Sequence, residues 1–144
     1  MIEYRKGNLL DVTEGIILHG CNAQGVMGSG VALAIKQAYP EAYQEYLNDS
    51  MILGFISDYW VNYDLVIING ITQEFYGRDG KRYVNYKAIC DVFTQAVSMG
   101  RLYGFTLNFP KIGAGLGGGD WNIIEQLIND CDPKDKVKKI CWEL

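Results

Sequence analysis

Two hydrophobic patterns alternate along the chain. The first is a short apolar run between glycine or polar residues, which is typical of a strand buried in a sheet. We predict strands of this kind at residues 2–5, 15–20, 64–69, 104–109 and 137–142. The second places apolar residues on one face of a helix. It predicts helices at residues 29–38, from Pro40 to about Leu47, from Tyr86 to Val97 behind an Asn85 cap, and at residues 121–129.

Strands that alternate with helices predict an α/β domain with a mixed, mostly parallel sheet between layers of helices. In such sheets, ligands bind beyond the carboxyl ends of the strands. His19, Asn69 and Phe109 end three predicted strands, and each is followed by glycine or proline and then by a polar or glycine-rich loop. We therefore expect three loops to meet at one crevice.

Composition narrows the possible partners. With 144 residues, we expect one domain over residues 1–144. The net charge of −4 and the lack of a continuous basic patch argue against a nucleic-acid polymer and leave a small anionic ligand open. Four scattered cysteines and one histidine form neither a zinc motif nor a disulfide framework. Without a leader or a membrane-length apolar run, we expect a cytoplasmic protein. We also expect a monomer that uses no metal ion or cofactor.

The segment before the last predicted helix carries the strongest indication of function. Five glycines among residues 113–119 follow Lys111 and Ile112, and Asp120 and Trp121 come next. A glycine-rich loop between a strand and a helix lets backbone N–H groups approach a phosphate closely. The segment lacks the ending of a Walker loop and the spacing of the Rossmann fingerprint. It therefore predicts a nucleotide-like diphosphate bound in an unusual way.

A second glycine-rich segment, residues 20–32, surrounds the start of the helix predicted at 29–38. Its N–H groups and the positive end of the helix would favour a phosphate or a ribose. Asn22 offers a donor and acceptors that suit a sugar diol. The alternative is an ordinary flexible turn, although a turn needs only one or two glycines.

Taken together, Gly7-Asn8, the segment from His19 to Asn22 and the loops at 25–32 and 111–121 resemble the macro domain family of ADP-ribose binders. The resemblance covers nearly the whole chain in the expected order. Ile71-Thr72-Gln73 and residues 113–121 are similar to the branch of ADP-ribose 1''-phosphate phosphatases and ADP-ribosyl hydrolases. The resemblance implies a three-layer α/β/α fold whose small-molecule ligand is ADP-ribose or its 1''-phosphate.

The resemblance also implies which residues contact the ligand. Asn8 would bond the adenine amino group, where many members have aspartate, and Leu9 would add a backbone N–H nearby. Asn22 would face the distal ribose and hold a 1''-phosphate. The other substrate-binding residues implied are Gly25, Val26, Met27, Gly28, Ser29, Gly30, Val31, Lys111, Ile112, Gly113, Ala114, Gly115, Leu116 and Gly117.

His19, Asn22 and Asp120 are the candidate catalytic residues. As the single histidine, His19 has the right pKa class to move protons near neutral pH, but a histidine on an apolar strand is often a satisfied core residue. Asp120 would help to activate the attacking water, or it would cap the helix that follows, and the two roles are compatible. The hydrolases of this branch commonly carry a nucleophilic lysine where this chain has Gln73, and an amide cannot form a Schiff base.

The resemblance therefore favours a metal-independent phosphatase that acts on ADP-ribose 1''-phosphate. A hydrolase of ADP-ribosyl groups on protein or nucleic acid and a non-catalytic ADP-ribose reader are the alternatives. In the polar segment 73–83, Arg78, Lys81 or Arg82 would meet a terminal phosphate. The other interpretation is a solvated hairpin with Asp79-Gly80 at its turn.

Overall fold

Strands and helices alternate along the chain, as the hydrophobic pattern predicts. The structure is a computed structural model that describes residues 1–144. Its strands are β1 (Ile2–Lys6), β2 (Gly15–Asn22), β3 (Ile56–Asn62), β4 (Leu65–Gln73), β5 (Leu107–Phe109) and β6 (Lys139–Glu143). Its helices are α1 (Gly30–Ala38), α2 (Pro40–Asn48), α3 (Tyr86–Tyr103) and α4 (Trp121–Asp130), and a 3₁₀ turn at Leu9–Asp11 follows β1. Every predicted strand and helix is present.

The six strands form one sheet in the order β1-β6-β5-β2-β4-β3. All neighbouring pairs are parallel except β3 and β4, which are antiparallel. The predicted mixed, mostly parallel sheet is thus confirmed. β2 pairs with β4 along one edge and with β5 along the other, so the carboxyl ends of these three strands lie side by side.

Helices cover both faces of this sheet. Ile16 and Leu18 of β2 belong to a core cluster shared with α3 and α4. Ile17, between them, faces the opposite way into a cluster shared with Ile35 of α1 and Ala42 of α2. This alternation of side chains gives the predicted three-layer α/β/α arrangement. No helix combines the length and the apolarity that crossing a membrane would require.

β3 is the strand that the hydrophobic pattern did not predict. It lies at the edge of the sheet and pairs with β4 alone. Asp58 and Asn62 within it are exposed, because an edge strand keeps contact with water. These polar positions interrupt the continuous apolar run that marks the central strands.

Glycine at position 70 permits close packing of β4 against α3. A Cβ at this position would lie 2.5 Å from Cγ1 of Val92. We therefore expect Gly70→Ala to lower the free energy of unfolding by about 1–3 kcal/mol, measured by urea denaturation. Gly115→Ala is the matched control, because no atom would lie within 4 Å of the new Cβ. Equal stability of the two variants would contradict this packing.

Candidate functional site

A crevice of about 780 Å³ lies where β2, β4 and β5 end. This volume is within the range of binding sites for small organic ligands. Residues that follow each of the three strands line it, so the predicted meeting of three loops is confirmed. We call residues 22–31 the first loop, which includes the last residue of β2 and the first two residues of α1. Residues 74–84 are the second loop, and residues 110–119 are the third loop.

Two polar side chains hold the first loop in shape. Asn22 Nδ2 donates to the carbonyl oxygen of Val26 at 2.8 Å, and Asn22 Oδ1 accepts from Gln24 N at 2.9 Å. The buried Tyr46 hydroxyl of α2 donates to Asn22 O at 2.6 Å and accepts from Gly25 N at 2.9 Å. The protein itself therefore fixes the course of the first loop.

The third loop folds back on itself through its glycines. Gly119 N donates to Gly113 O at 2.7 Å, and Gly118 N donates to Gly115 O at 3.0 Å. Gly113 and Gly118 have φ angles of 80° and 71°, in the left-handed region that favours glycine. A Cβ on Gly117 would lie 2.8 Å from Gly113 O. The compact turn therefore depends on glycine at these positions.

Both loops leave backbone donors without acceptors. The N–H groups of the following crevice-lining residues make no hydrogen bond within the protein: Gly28, Ser29, Gly30, Val31, Gly113, Gly115, Leu116 and Gly117. The N–H groups of Gly30 and Val31 are also the free donors at the start of α1, where the helix dipole is positive. Such an array of donors is suited to an anion with many oxygen atoms.

The crevice carries no negative side chain. Neither aspartate nor glutamate lines it, and its two cationic residues are Arg78 and Lys111. Lys111 Nζ lies 3.0 Å from Oε1 of Glu143, which is outside the lining. Cys21 also lines the crevice, but burial raises the pKa of its thiol far above the usual range. The thiol therefore stays protonated and is a poor nucleophile.

His19 is held within the sheet at the floor of the crevice. Its side chain is buried, and Nε2–H donates to Asn69 Oδ1 at 2.6 Å. Asn69 Nδ2 in turn donates to Ala42 O and to Ser57 Oγ, both at 3.0 Å. Burial lowers the pKa of His19 to about 4, against the smaller opposing effect of the Asn69 bond. Of the two interpretations of His19, this geometry matches the satisfied core residue.

Asp120 and Asn8 both cap helical turns. Asp120 Oδ1 accepts from Asn122 N at 2.9 Å at the start of α4, and Asp120 is not part of the crevice lining. The predicted capping role is therefore confirmed, while no contact supports a role in activating water. Asn8 Oδ1 accepts from Leu10 N at 3.0 Å, and Asn8 also lies outside the lining.

Most of the predicted site residues line the crevice. These are His19, Asn22, Val26, Gly28, Ser29, Gly30, Val31, Lys111, Ile112, Gly113, Gly115, Leu116 and Gly117. The structure positions six others outside the lining: Asn8, Leu9, Gly25, Met27, Ala114 and Asp120.

The structure gives a physical reason for three of these exclusions. Met27 is buried in a core cluster with Tyr46, and Leu9 packs with Ile17. Gly25 uses its N–H and its carbonyl oxygen to bond the hydroxyls of Tyr46 and Tyr43. The N–H of Leu9 keeps no acceptor in the protein, so a backbone contact there stays a prediction.

The predicted substrate-binding residues do not include those at the end of β4 and just beyond it, although the sequence predicts a loop after Asn69 and offers Arg78 as one possible contact for a terminal phosphate. Thr72, Gln73, Tyr76, Gly77 and Arg78 line the crevice, as do Gly20, Cys21, Ala32 and Pro110. β4 runs to Gln73, four residues beyond the predicted end of the strand. The apolar Ile71, two positions beyond Asn69, is the signal that would have extended the predicted strand toward Thr72 and Gln73.

Comparison with other proteins identifies relatives along the full length of the chain. No protein-family model matches it. It is 30% identical to an uncharacterised 17.5 kDa protein of Enterobacteria phage T4, over 99% of this chain and 97% of that one. It is 28% identical to the DNA ADP-ribosyl glycohydrolase of Thermus aquaticus, over 90% of this chain and only 37% of that enzyme. The ADP-ribose 1''-phosphate phosphatase of Candida albicans is 25% identical, over 92% of this chain and 94% of that enzyme.

Solved structures show the same architecture. A protein of unknown function from Bacteroides thetaiotaomicron superposes with a TM-score of 0.88 at 27% identity, over 100% of this chain and 98% of that one. The macrodomain of Mycobacterium tuberculosis DarG superposes with a TM-score of 0.81 at 25% identity, again over 100% of this chain and 98% of that one.

The buried state of His19 predicts a specific dependence of stability on pH. Its pKa of about 4 in the folded protein lies below the ordinary value of 6.5, so the unfolded chain binds the proton first as pH falls. The contribution of His19 to stability is complete above pH 6.5 and is lost as pH falls toward 4, by about 3 kcal/mol in total.

The measurement is the free energy of unfolding of wild type and of His19→Gln between pH 7 and pH 4.5. The glutamine amide can still donate to Asn69 but does not titrate. We expect wild type to lose more stability than the variant over this range. Parallel pH curves for the two proteins would show that His19 is not buried as described.

Proposed function

We propose that this chain, which belongs to the macro domain family, forms one such domain over its 144 residues. In this proposal the domain binds ADP-ribose 1''-phosphate and hydrolyses the terminal phosphate. The products would be ADP-ribose and inorganic phosphate. The relatives named ADP-ribose 1''-phosphate phosphatase and DNA ADP-ribosyl glycohydrolase both support a hydrolase that acts on an ADP-ribose derivative.

The observation that carries the proposal is the array of unpaired N–H groups in the first and third loops. A diphosphate offers several charged oxygens, and backbone donors bind it without a lysine for each charge. The lining has no carboxylate that would repel an anion. The crevice volume of about 780 Å³ leaves room for a nucleotide-sized ligand.

The same features suit the chemistry of phosphate hydrolysis. The attacking water forms a bond to phosphorus while the bond from phosphorus to the 1''-oxygen breaks. The transition state is loose, so catalysis depends mainly on positioning and on stabilising the phosphate charge. A crevice that lacks a carboxylate base is compatible with such a reaction.

We propose a different role for each of the three candidate catalytic residues. Asn22 would act by holding the first loop, through its bonds to Val26 O and Gln24 N, in the shape that positions the distal ribose and the phosphate. His19 would stay neutral and would position the end of β2 through Asn69. Asp120 would act by capping α4. Proton exchange would then proceed through solvent.

A glycohydrolase that removes ADP-ribosyl groups is the second candidate, because the Thermus aquaticus enzyme aligns with 90% of this chain. Gln73 lines the crevice, where its Nε2 donates to Phe75 O at 2.7 Å. A glutamine amide has no nucleophilic lone pair for attack on the ribose. Lys111 is the single lysine of the lining, and Glu143 holds it as an ion pair. The phosphatase is therefore the better-supported proposal.

The first experiment measures phosphate release from ADP-ribose 1''-phosphate by the purified protein in EDTA. We expect stoichiometric conversion to ADP-ribose with many turnovers. ADP-ribosylated DNA and ADP-ribosyl-glutamate peptides, tested in parallel, should keep their modification. Release of ADP-ribose from those substrates with no phosphatase activity would favour the glycohydrolase. Calorimetric ADP-ribose binding without any turnover would favour a reader.

Two variants distinguish the role of Asn22 in catalysis from that of His19. We expect Asn22→Ala to lower kcat/KM by roughly 100-fold, since it removes the side chain that holds the first loop in the shape that positions the substrate. We expect His19→Gln to keep most of its activity with an unchanged pH profile, because a neutral buried histidine carries no proton. A loss of roughly 10²–10⁴-fold in a folded His19→Gln protein would instead identify His19 as a general acid or base.

A further inference from the structure

Arg78 is the one cationic side chain of the crevice that has no partner. It makes no hydrogen bond and no ion pair, whereas Lys111 is paired with Glu143. The two basic residues that follow Arg78 lie outside the lining. Lys81 Nζ is 3.9 Å from Asp79, and the Arg82 guanidinium lies 4.6 Å from the ring centre of Tyr86.

The second loop, which carries Arg78, is fastened to the third loop. Tyr83 N and Val84 N donate to Gly117 O at 2.7 and 3.0 Å. The Tyr83 hydroxyl donates to Asp79 Oδ1 at 2.9 Å. Gly77 packs so closely on Tyr83 that a Cβ would lie 2.4 Å from the phenol oxygen. The backbone at Arg78 is therefore held in place, while its guanidinium remains free to bind.

Hydrogen bonds also join the start of the second loop to the two residues that follow Asn22. Ala23 N donates to Gln73 O at 2.9 Å and to Glu74 O at 3.2 Å. Gln24 Nε2 donates to Glu74 O at 3.1 Å. Asn22 and the start of the second loop are thus neighbours on one wall. Arg78 lies four residues beyond Glu74 in the same loop and lines the crevice together with Asn22.

We propose that Arg78 selects a phosphate monoester on the distal ribose, an inference that rests on the proposed function. A guanidinium donates two parallel hydrogen bonds to phosphate oxygens. In the reaction, water bonds to phosphorus as the bond to the 1''-oxygen breaks. The attacking water loses a proton to solvent, and the leaving oxygen gains one. Arg78 would bind the phosphate oxygens that carry the charge throughout this step, and it would add the positive charge that the neutral backbone donors lack.

The test compares two ligands in three variants: Arg78→Gln, Arg78→Lys and the matched control Arg82→Gln. The ligands are ADP-ribose 1''-phosphate, measured by kcat/KM, and ADP-ribose, measured as a competitive inhibitor. We expect Arg78→Gln to lower kcat/KM by roughly 10- to 100-fold and to leave the inhibition constant of ADP-ribose unchanged. Arg78→Lys should recover part of the activity, and Arg82→Gln should resemble wild type.

Equal losses for both ligands would overturn the inference, because Arg78 would then contact the ADP-ribose core or support the loop. Unchanged kinetics in Arg78→Gln would overturn it as well. An ADP-ribosylated oligonucleotide is tested as a third ligand. The inference is also overturned if Arg78→Gln weakens the binding of this oligonucleotide alone, since Arg78 would then recognise a phosphodiester.

If wild type releases no phosphate, the proposed function fails but Arg78 can still be tested. The dissociation constants of the same two ligands are then measured directly by calorimetry, since neither is consumed. Tighter binding of the phosphorylated ligand by wild type, lost in Arg78→Gln, supports the inference. Equal affinities of wild type for the two ligands refute it.

Discussion

The enclosure of β2 is the constraint on which the rest of the structure depends. This strand has a partner along each edge and helices over each face, and Ile16, Ile17 and Leu18 are fully buried. Its backbone groups are satisfied by the sheet, so the chain can meet a ligand only where the strand ends. β4 and β5 end beside it, which brings three loops together. The position of the crevice thus follows from the strand order.

The protein then fixes those loops with few side chains. Tyr46 holds the first loop from α2, and the second and third loops are joined at Gly117. Because the bonding is concentrated in these contacts, the N–H groups of several glycines have no acceptor in the protein. The crevice can therefore recognise an anion chiefly through the backbone, with Arg78 as its free cation. This explains how a chain with a net charge of −4 can provide a site for a diphosphate.

The fold was largely predictable because its central strands are bounded apolar runs and two of its four helices carry clear caps. Asn85 and Asp120 cap α3 and α4 as their positions predict. The site was less predictable, because the partner of a loop residue lies far away in the sequence. The N–H of Gly25, for example, donates to the hydroxyl of Tyr46, which is 21 positions away. Sequence likewise could not separate Arg78 from Lys81 and Arg82, since only folding shows which of them reaches the crevice.

An NMR titration of ADP-ribose into the isotope-labelled protein tests most directly whether the backbone of the first and third loops binds the diphosphate. We predict large, saturable shifts of the amide signals of Gly28–Val31 and Gly113–Gly117, with small changes at the opposite end of the sheet, where β2, β4 and β5 begin. The absence of saturable shifts, or shifts confined to residues outside the crevice, would contradict the proposed site.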